Sequence, residues 1–220
     1  MQNTNQGVNW DEYKQILFVD QSLEEIVKFN KAPDDPFIQA HQFVNVGKPA
    51  EAIGVLKQAL ADPTAEVRTK LWAWNALREL GEKPPLNVAN EIQGVVMEVP
   101  VDGWVDTLAA YSDGRARYVN GKSGAIVWEI PEETRISSLV GNFIKAAKPL
   151  VEKAPLFPKH QPAKSDVVRI SLLTFGGIRI IEVNQSDLTE RHIMSPTYDA
   201  GTRLFLALLE EDQKSNGNAK

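Results

Sequence analysis

The spacing of apolar residues changes once along this chain, near residue 91, and the change restricts the folds open to it. From Leu23 to Leu80, apolar residues recur every three or four positions, as on one face of a helix. From Ile92 onward they alternate with other residues in short runs, as in strands. The change predicts an α+β protein, with a helical part over residues 1–90 packed on an antiparallel α+β domain over residues 91–220.

The ends of the helices in the first part are marked by capping residues, glycine and proline. Ser22 and Glu25 have the spacing of a capping box before the first helix, and Pro36 can begin the second. Asp62-Pro63 ends the third helix, and Gly81 ends the fourth. The helical part is therefore predicted to contain a series of short helices joined by tight turns.

Small and large residues follow a set order along the second to fourth of these helices. The positions are Ala40, Phe43, Gly47, Ala52, Leu56, Ala59 and Pro63, after which Trp74, Leu77 and Gly81 begin the order again. Residues 36–81 therefore resemble the tetratricopeptide repeat, a helix–turn–helix unit of roughly 34 residues. The resemblance implies antiparallel helix pairs whose concave groove binds another protein. A plain helical bundle has the same spacing, so both interpretations stay open.

The second part is predicted to contain four strands, a helix, two strands and a final helix. Asp113-Gly114 and Phe175-Gly176-Gly177 are turn sequences that close hairpins. Residues 136–151 have a strongly amphipathic helical pattern, Pro196 can begin the last helix, and three prolines predict a loop over residues 153–164. This order of about six strands and two helices is similar to that of small single-sheet domains such as the profilin, roadblock and PAS-like classes.

Charge and composition bear on the partners that the chain can have. The net charge of −5 is spread evenly, which disfavours binding to nucleic acid, and no cysteine is present to form disulfides or thiolate sites. No apolar run approaches the ~20 residues that cross a bilayer, and the polar start predicts a cytoplasmic protein. The polar stretches Met1–Gly7 and Glu211–Lys220 are expected to fray.

Two features of the sequence could carry chemistry, a possible phosphate-binding loop and a possible metal site. Gly121-Lys122-Ser123 is similar to the end of a phosphate-binding loop, but Ala116 stands where that motif needs glycine, and a strand follows it. A hairpin turn explains these residues better. His41, His160 and His192 lack the spacing of metal ligands. The sequence therefore predicts neither a cofactor nor a metal.

Carboxylates are the remaining candidates for catalysis. Asp102, Asp106 and Asp113 belong to the same predicted meander, and paired acids can hydrolyse glycosidic bonds. Turn formation explains Asp102 and Asp113 equally well. The sequence favours a protein without catalytic activity and leaves open an enzyme whose site has no local motif.

Arginine and aromatic residues are concentrated around the predicted hairpins. Arg115 and Arg117 share one face of a strand, and together guanidinium and aromatic groups bind anions, flat ligands and protein partners. The candidate binding residues are Tyr111, Arg115, Arg117, Asn120 and Trp128. In the alternative, both arginines lie on a solvated face, while Tyr118 and Trp128 enter the core.

These patterns favour an adaptor that binds another protein through the helical groove, the edge of the sheet or its arginine face. The sequence also leaves open that the chain associates with further copies of itself. The alternative from a different class is a small-ligand sensor, in which the sheet and the helix over residues 136–151 enclose a pocket.

Overall fold

The computed structural model describes residues 10–29, 32, 34–122, 124–129, 133–161, 164 and 166–217, and these residues form an α+β fold. The first part is helical. Its helices are α1 (Trp10–Gln15), α2 (Leu23–Phe29), α3 (Pro36–Asn45), α4 (Pro49–Ala61), α5 (Val67–Glu79) and α6 (Leu86–Ala89), and a 3₁₀ turn at Ile16–Phe18 follows α1.

The second part is an antiparallel sheet with two long helices. Its strands are β1 (Ile92–Val101), β2 (Trp104–Tyr111), β3 (Ala116–Asn120), β4 (Gly124–Trp128), β5 (Leu156–Phe157), β6 (Val167–Thr174) and β7 (Gly177–Asn184). Helix α7 (Arg135–Ala147) follows β4, and α8 (Ser195–Gly217) follows β7. The strand order across the sheet is β4-β3-β2-β1-β6-β7-β5. Strands β1 and β6 are therefore central, and β4 and β5 form the two edges.

One face of the sheet packs against α7 and α8. Phe143 and Ile136 of α7 and Leu204 of α8 are buried against Val95 and Leu172 of the central strands. A capping box at Thr134 and Ser137 fixes the start of α7, because each residue accepts a hydrogen bond from the backbone of the other. This face is the main hydrophobic core of the second part.

The opposite face of the sheet is covered by the N-terminal residues. Leu17 and Phe18 of the 3₁₀ turn and Leu71 of α5 pack against Val96 and Leu173 of β1 and β6. The strands therefore lie between two helical layers, and both faces of the sheet are largely withdrawn from solvent.

Polar contacts also join the helical part to the sheet. The Asp113 carboxylate accepts a hydrogen bond from the Val67 backbone N–H at the start of α5, at 3.1 Å. The Arg78 guanidinium donates to the Phe175 carbonyl at 2.5 Å, and Lys14 Nζ donates to the Val105 carbonyl at 2.9 Å. These bonds fix both ends of α5 and the first helix on the sheet.

Close packing inside the helical part depends on small residues. Ala40 of α3 and Ala52 of α4 have no exposed surface, and they lie in one apolar cluster with Leu56 and Leu77. Helix α4 contacts both α3 and α5. Alanine at such positions lets helix axes approach closely.

Most sequence predictions of local structure are confirmed. The Ser22 and Glu25 capping box forms, with Ser22 N–H donating to the Glu25 carboxylate at 2.7 Å and Glu25 N–H to Ser22 Oγ at 3.2 Å. Pro36 begins α3, and Gly81 follows α5 with a positive φ of 88°. The hairpins at Asp113-Gly114 and at Phe175-Gly176-Gly177 join β2 to β3 and β6 to β7.

Three predictions of local structure need correction. The loop predicted over residues 153–164 contains the short edge strand β5, so the described residues form seven strands instead of about six. The C-terminal segment predicted to fray from Glu211 continues α8 as far as Gly217, because apolar residues earlier in that helix anchor it on the sheet. Helices α1 and α6 were not predicted, since each has only one or two turns. Met1–Gly7, Ile130, Pro131 and the last three residues of the predicted fraying segment, Asn218–Lys220, lie outside the described residues.

In the described part of the chain, no helix is both long enough and apolar enough to span a bilayer.

Candidate functional site

A small cavity opens between the sheet and α8. Its volume is about 190 Å³. Strands β1, β2 and β3 form one wall and α8 forms the other, through Met97, Val99, Val101, Asp106, Leu108, Tyr118, Tyr198, Thr202 and Phe205. Most of these side chains are apolar, so the cavity favours a hydrophobic group.

A hydrogen-bonded pair gives one end of the cavity a polar character. The Tyr118 hydroxyl donates to Asp106 Oδ2 at 2.6 Å, and the Gly121 backbone N–H donates to Asp106 Oδ1 at 2.8 Å. Burial, the hydrogen bond to Asp106 and the charge of that carboxylate all raise the pKa of Tyr118. Each carboxylate oxygen has a second lone pair, so Asp106 can accept a further hydrogen bond from a group in the cavity.

A tight turn and a close helix contact shape the cavity. Asp102 and Gly103 join β1 to β2 with positive φ values of 47° and 83°. The turn places Val101 opposite Trp104, and their side chains are 43% and 50% exposed. On α8, a Cβ atom added to Gly201 would lie 2.7 Å from the end of the Met97 side chain and 3.0 Å from the Phe143 ring, so a larger residue would require these side chains to shift.

The size of the cavity limits what it can hold. Ligand pockets usually enclose about 300–1,000 Å³. A cavity of about 190 Å³ therefore suits one large side chain of a partner, or a small molecule, better than a cofactor. An apolar group that carries a hydrogen-bond donor matches both the lining and Asp106.

The structure brings Arg115 and Arg117 together, but under the helical part of the chain. Both guanidinium groups pair with Glu129, at 3.2 Å for Arg115 and at 2.5 Å for Arg117. Arg115 also pairs with Asp113 at 2.7 Å and with Glu66, which precedes α5, at 3.2 Å. The two side chains are only 15% and 12% exposed. They join the β2–β3 hairpin to the helical layer and are not on a solvated face.

The other candidate residues lie apart from these arginines. Tyr111 is fully buried, its hydroxyl donates to the Leu17 carbonyl at 2.9 Å, and burial raises its pKa. Asn120 accepts a hydrogen bond from the Lys122 backbone N–H in the β3–β4 turn. Trp128 packs on the opposite face, in the core with α7 and α8. The five candidates therefore do not form one surface.

The described residues of the possible phosphate-binding loop and of the possible metal site have structural roles instead. Gly121 and Lys122 lie in the turn between β3 and β4, and Ser123 lies outside the described residues. His160 stacks on Phe18, with ring centroids 3.5 Å apart. Among the described residues, no three acidic or histidine side chains are grouped so that they could hold a metal ion.

A row of polar side chains crosses the sheet face beneath the helical part. Glu98 of β1 is paired in register with Thr107 of β2 and with Arg169 of β6, and Arg169 is paired with Glu182 of β7. We call Thr107, Glu98, Arg169 and Glu182 the polar row. Arg169 Nε donates to Glu182 at 2.7 Å, and the guanidinium also donates to the Gln161 carbonyl. Arg169 is 3.7 Å from Glu98, which is only 5% exposed.

Burial shifts the titration of groups in and beside the polar row. It raises the pKa of Glu98 to about 7, although the charges of Arg169 and Lys14 act in the opposite direction. Burial and the charge of Arg169 lower the pKa of His160 to about 4. Burial also raises the pKa of Asp20, which accepts a hydrogen bond from the His160 backbone. We therefore expect the stability of this layer to depend on pH.

The cavity and the polar row are not predicted by the sequence patterns. The available signal for the row was a charged residue within each of two apolar strands, Glu98 in β1 and Arg169 in β6. For the cavity, Asp106 was noted as a carboxylate, but its contact with Tyr118 and the cover supplied by α8 depend on the fold.

Comparison of the chain with protein-family models, with curated proteins and with solved structures finds no match.

Proposed function

We propose that this chain is a non-catalytic protein-binding module, and that the cavity under α8 receives one large apolar side chain of its partner. The observation that carries the proposal is the cavity itself, which has the size of a single side chain and a carboxylate at one end. Buried anchor side chains in well-packed pockets supply much of the affinity of protein interfaces.

The surroundings of the cavity extend this binding surface. Val101 and Trp104 project from the β1–β2 turn, and aromatic side chains are enriched in protein interfaces. Asp102 lies at the same turn, and Asp106 accepts hydrogen bonds in the cavity. The partner that fits best is a segment with a large apolar residue next to lysine or arginine, because its charge complements these carboxylates.

The groove between helix pairs is a weaker candidate for the partner site. A tetratricopeptide-like arrangement of α3, α4 and α5 stays a proposal, supported by the buried alanines at positions 40 and 52. Helix α5, however, presents Leu71 to the sheet and is bonded to it at Val67 and Arg78. The helical part therefore uses much of its surface to cover the sheet.

A peptide display selection against the full chain tests the proposal. We expect it to enrich peptides that carry a large apolar residue beside lysine or arginine. Thr202→Trp fills the cavity and should weaken binding of the selected peptides at least tenfold. Arg203→Trp is the matched control, since it adds the same side chain at the next, exposed position of α8 and should leave binding unchanged.

Equal binding by the two tryptophan variants, at unchanged melting temperatures, would exclude the cavity as the partner site. A selection that enriches no common sequence would also count against a protein partner.

A small-molecule sensor is the second candidate function, because a cavity of about 190 Å³ can also hold a small ligand. The probes are small aliphatic and aromatic amines, measured by thermal shift. A rise in melting temperature that Thr202→Trp abolishes and Arg203→Trp retains would assign the cavity to a small ligand instead of a partner side chain.

A further inference from the structure

The two edges of the sheet differ in how well they are protected against pairing with another strand. Strand β5 has only two residues, Leu156–Phe157, and it lies between Pro155 and Pro158. Short length and flanking prolines are standard protections of an edge strand, because proline has no backbone N–H to donate. The β5 edge is therefore a poor template for a further strand.

Strand β4 has none of these protections. Its five residues, Gly124–Trp128, contain neither a charge nor a proline, and among the described residues it pairs only with β3. Its outer row of backbone groups is therefore available to another strand. The Val127 side chain is 47% exposed, and Ala125 on the same face is also exposed.

We propose that β4 pairs antiparallel with β4 of a second copy of this chain, about a two-fold axis through Ile126. This register pairs all five residues and sets Val127 of each copy beside Ala125 of the other. The two sheets then form one continuous sheet. Pairing at the β4 edge is independent of the cavity under α8 and of any partner bound there.

The charges at the ends of β4 favour a second copy in the antiparallel direction. Lys122 precedes the strand, and Glu129 follows it with a side chain that is 38% exposed. Antiparallel pairing brings the Lys122 end of each strand to the Glu129 end of the other. Glu129 is held by Arg115 and Arg117 within its own copy, and part of its side chain remains exposed to the incoming lysine. Parallel pairing would bring like charges together, which is unfavourable. The strand is thus complementary to itself.

Sedimentation equilibrium of the full chain tests the proposal with a matched pair of variants. We expect the unmodified chain to be a dimer at micromolar concentration. Val127→Lys places a charge on the β4 edge and should raise the dimer dissociation constant at least a hundredfold. Leu156→Lys adds the same charge to the exposed residue of the β5 edge and should leave the dimer intact. Val127→Thr, which remains β-branched and uncharged, should also remain dimeric.

Crosslinking tests the register, and the absence of cysteine from the chain makes the result simple to interpret. In the double variant Ala125→Cys and Val127→Cys, the cysteine at position 125 of each copy faces the cysteine at position 127 of the other copy. Oxidation should give a covalent dimer on a non-reducing gel. The double variant Ala125→Cys and Leu156→Cys is the control. It contains the same number of cysteines, but none of them faces Ala125→Cys across the axis, so it should crosslink poorly.

Several outcomes would overturn the proposal. The proposal is wrong if the unmodified chain is still monomeric at about 100 μM, even if its β4 edge binds an extended peptide of another protein. A Val127→Lys variant that stays dimeric with an unchanged dissociation constant would show that copies associate through a different surface.

Discussion

On one face of the sheet, α7 and α8 bury an almost continuous apolar surface, whereas on the other face the N-terminal helices cover both apolar residues and the polar row. The first contact relies on hydrophobic burial, which depends little on direction. The second relies on charges and hydrogen bonds that have to meet their partners in one geometry. The comparison indicates that α7 and α8 supply stability, while the polar face fixes how the helical part is placed and makes its attachment depend on pH.

The largest effect is expected from a cavity on the apolar face. Phe143→Ala removes a fully buried ring from α7 and should lower the free energy of unfolding by about 3–5 kcal/mol. Urea denaturation measures the change. Lys145→Ala, at an exposed position of the same helix, should change it by less than about 0.5 kcal/mol. Similar losses from both variants would contradict the assignment of this face as the main core.

The next largest effect is expected on the polar face. Arg169→Met leaves Glu98 and Glu182 without their cation and should lower the free energy of unfolding by about 3 kcal/mol. Limited proteolysis should then cut first near α6, because the helical part is held less firmly. Adding Glu98→Gln and Glu182→Gln to Arg169→Met should restore part of the loss. If the triple variant is no more stable than the single one, unpaired charge is not the cause.

The pH dependence of stability separates Glu98 from the rest of the polar row. Its folded pKa of about 7 lies above its ordinary value of 4.5, so the folded state holds this proton to higher pH than the unfolded chain. The stability that Glu98 contributes is therefore fully present below pH 4.5 and is lost as the pH rises towards 7. The loss amounts to about 3 kcal/mol.

Unfolding free energies of the unmodified chain and of Glu98→Gln, measured from pH 4.5 to 7, test this difference. The unmodified chain should lose stability relative to the variant as the pH rises. His160 acts in the opposite direction, because its lowered pKa makes acid destabilising, but both proteins contain it and its effect cancels in the difference. Glu51→Gln, at an exposed position of α4, should run parallel to the unmodified chain.

The smallest effect on stability is expected from the loss of one hydrogen bond between the sheet and the N-terminal residues. Tyr111→Phe removes the bond to the Leu17 carbonyl and keeps the buried ring, so it should lower the free energy of unfolding by about 1 kcal/mol. Hydrogen exchange should rise in the 3₁₀ turn and in α1 before it rises in α7. Uniform exchange in the two layers would indicate that this bond does not help to hold the N-terminal residues on the sheet.

The sequence predicted those features that depend on neighbouring residues. The capping box at Ser22 and Glu25, the start of α3 at Pro36 and the hairpin at Asp113-Gly114 are all local. Strand β5 was missed because two residues carry no period, and pairing with β7 alone makes them a strand. The C-terminal turns of α8 were missed because tertiary contacts earlier in the helix stabilise a polar extension.

The candidate site was harder to predict, because each of its parts has a partner distant in the sequence. Arg115 and Arg117 are on one side of the hairpin as expected, but the sequence did not show that Glu66 and the helical layer would cover them. Trp128 entered the core, as the alternative interpretation held. The cavity also needs α8, which begins at Ser195, whereas β2 ends at Tyr111, so its two walls come from distant parts of the sequence.

By itself, the sequence determined the α+β class, the change from helices to strands near residue 91 and the main turns, because hydrophobic period and turn chemistry act over a few residues. Only the tertiary structure decided that β1 lies beside β6, that the helical part covers the second sheet face and that Glu98 meets Arg169. The physical reason is that strand order and layer contacts are set by the free energy of the whole packed chain, in which each buried charge has to find a partner from a distant segment.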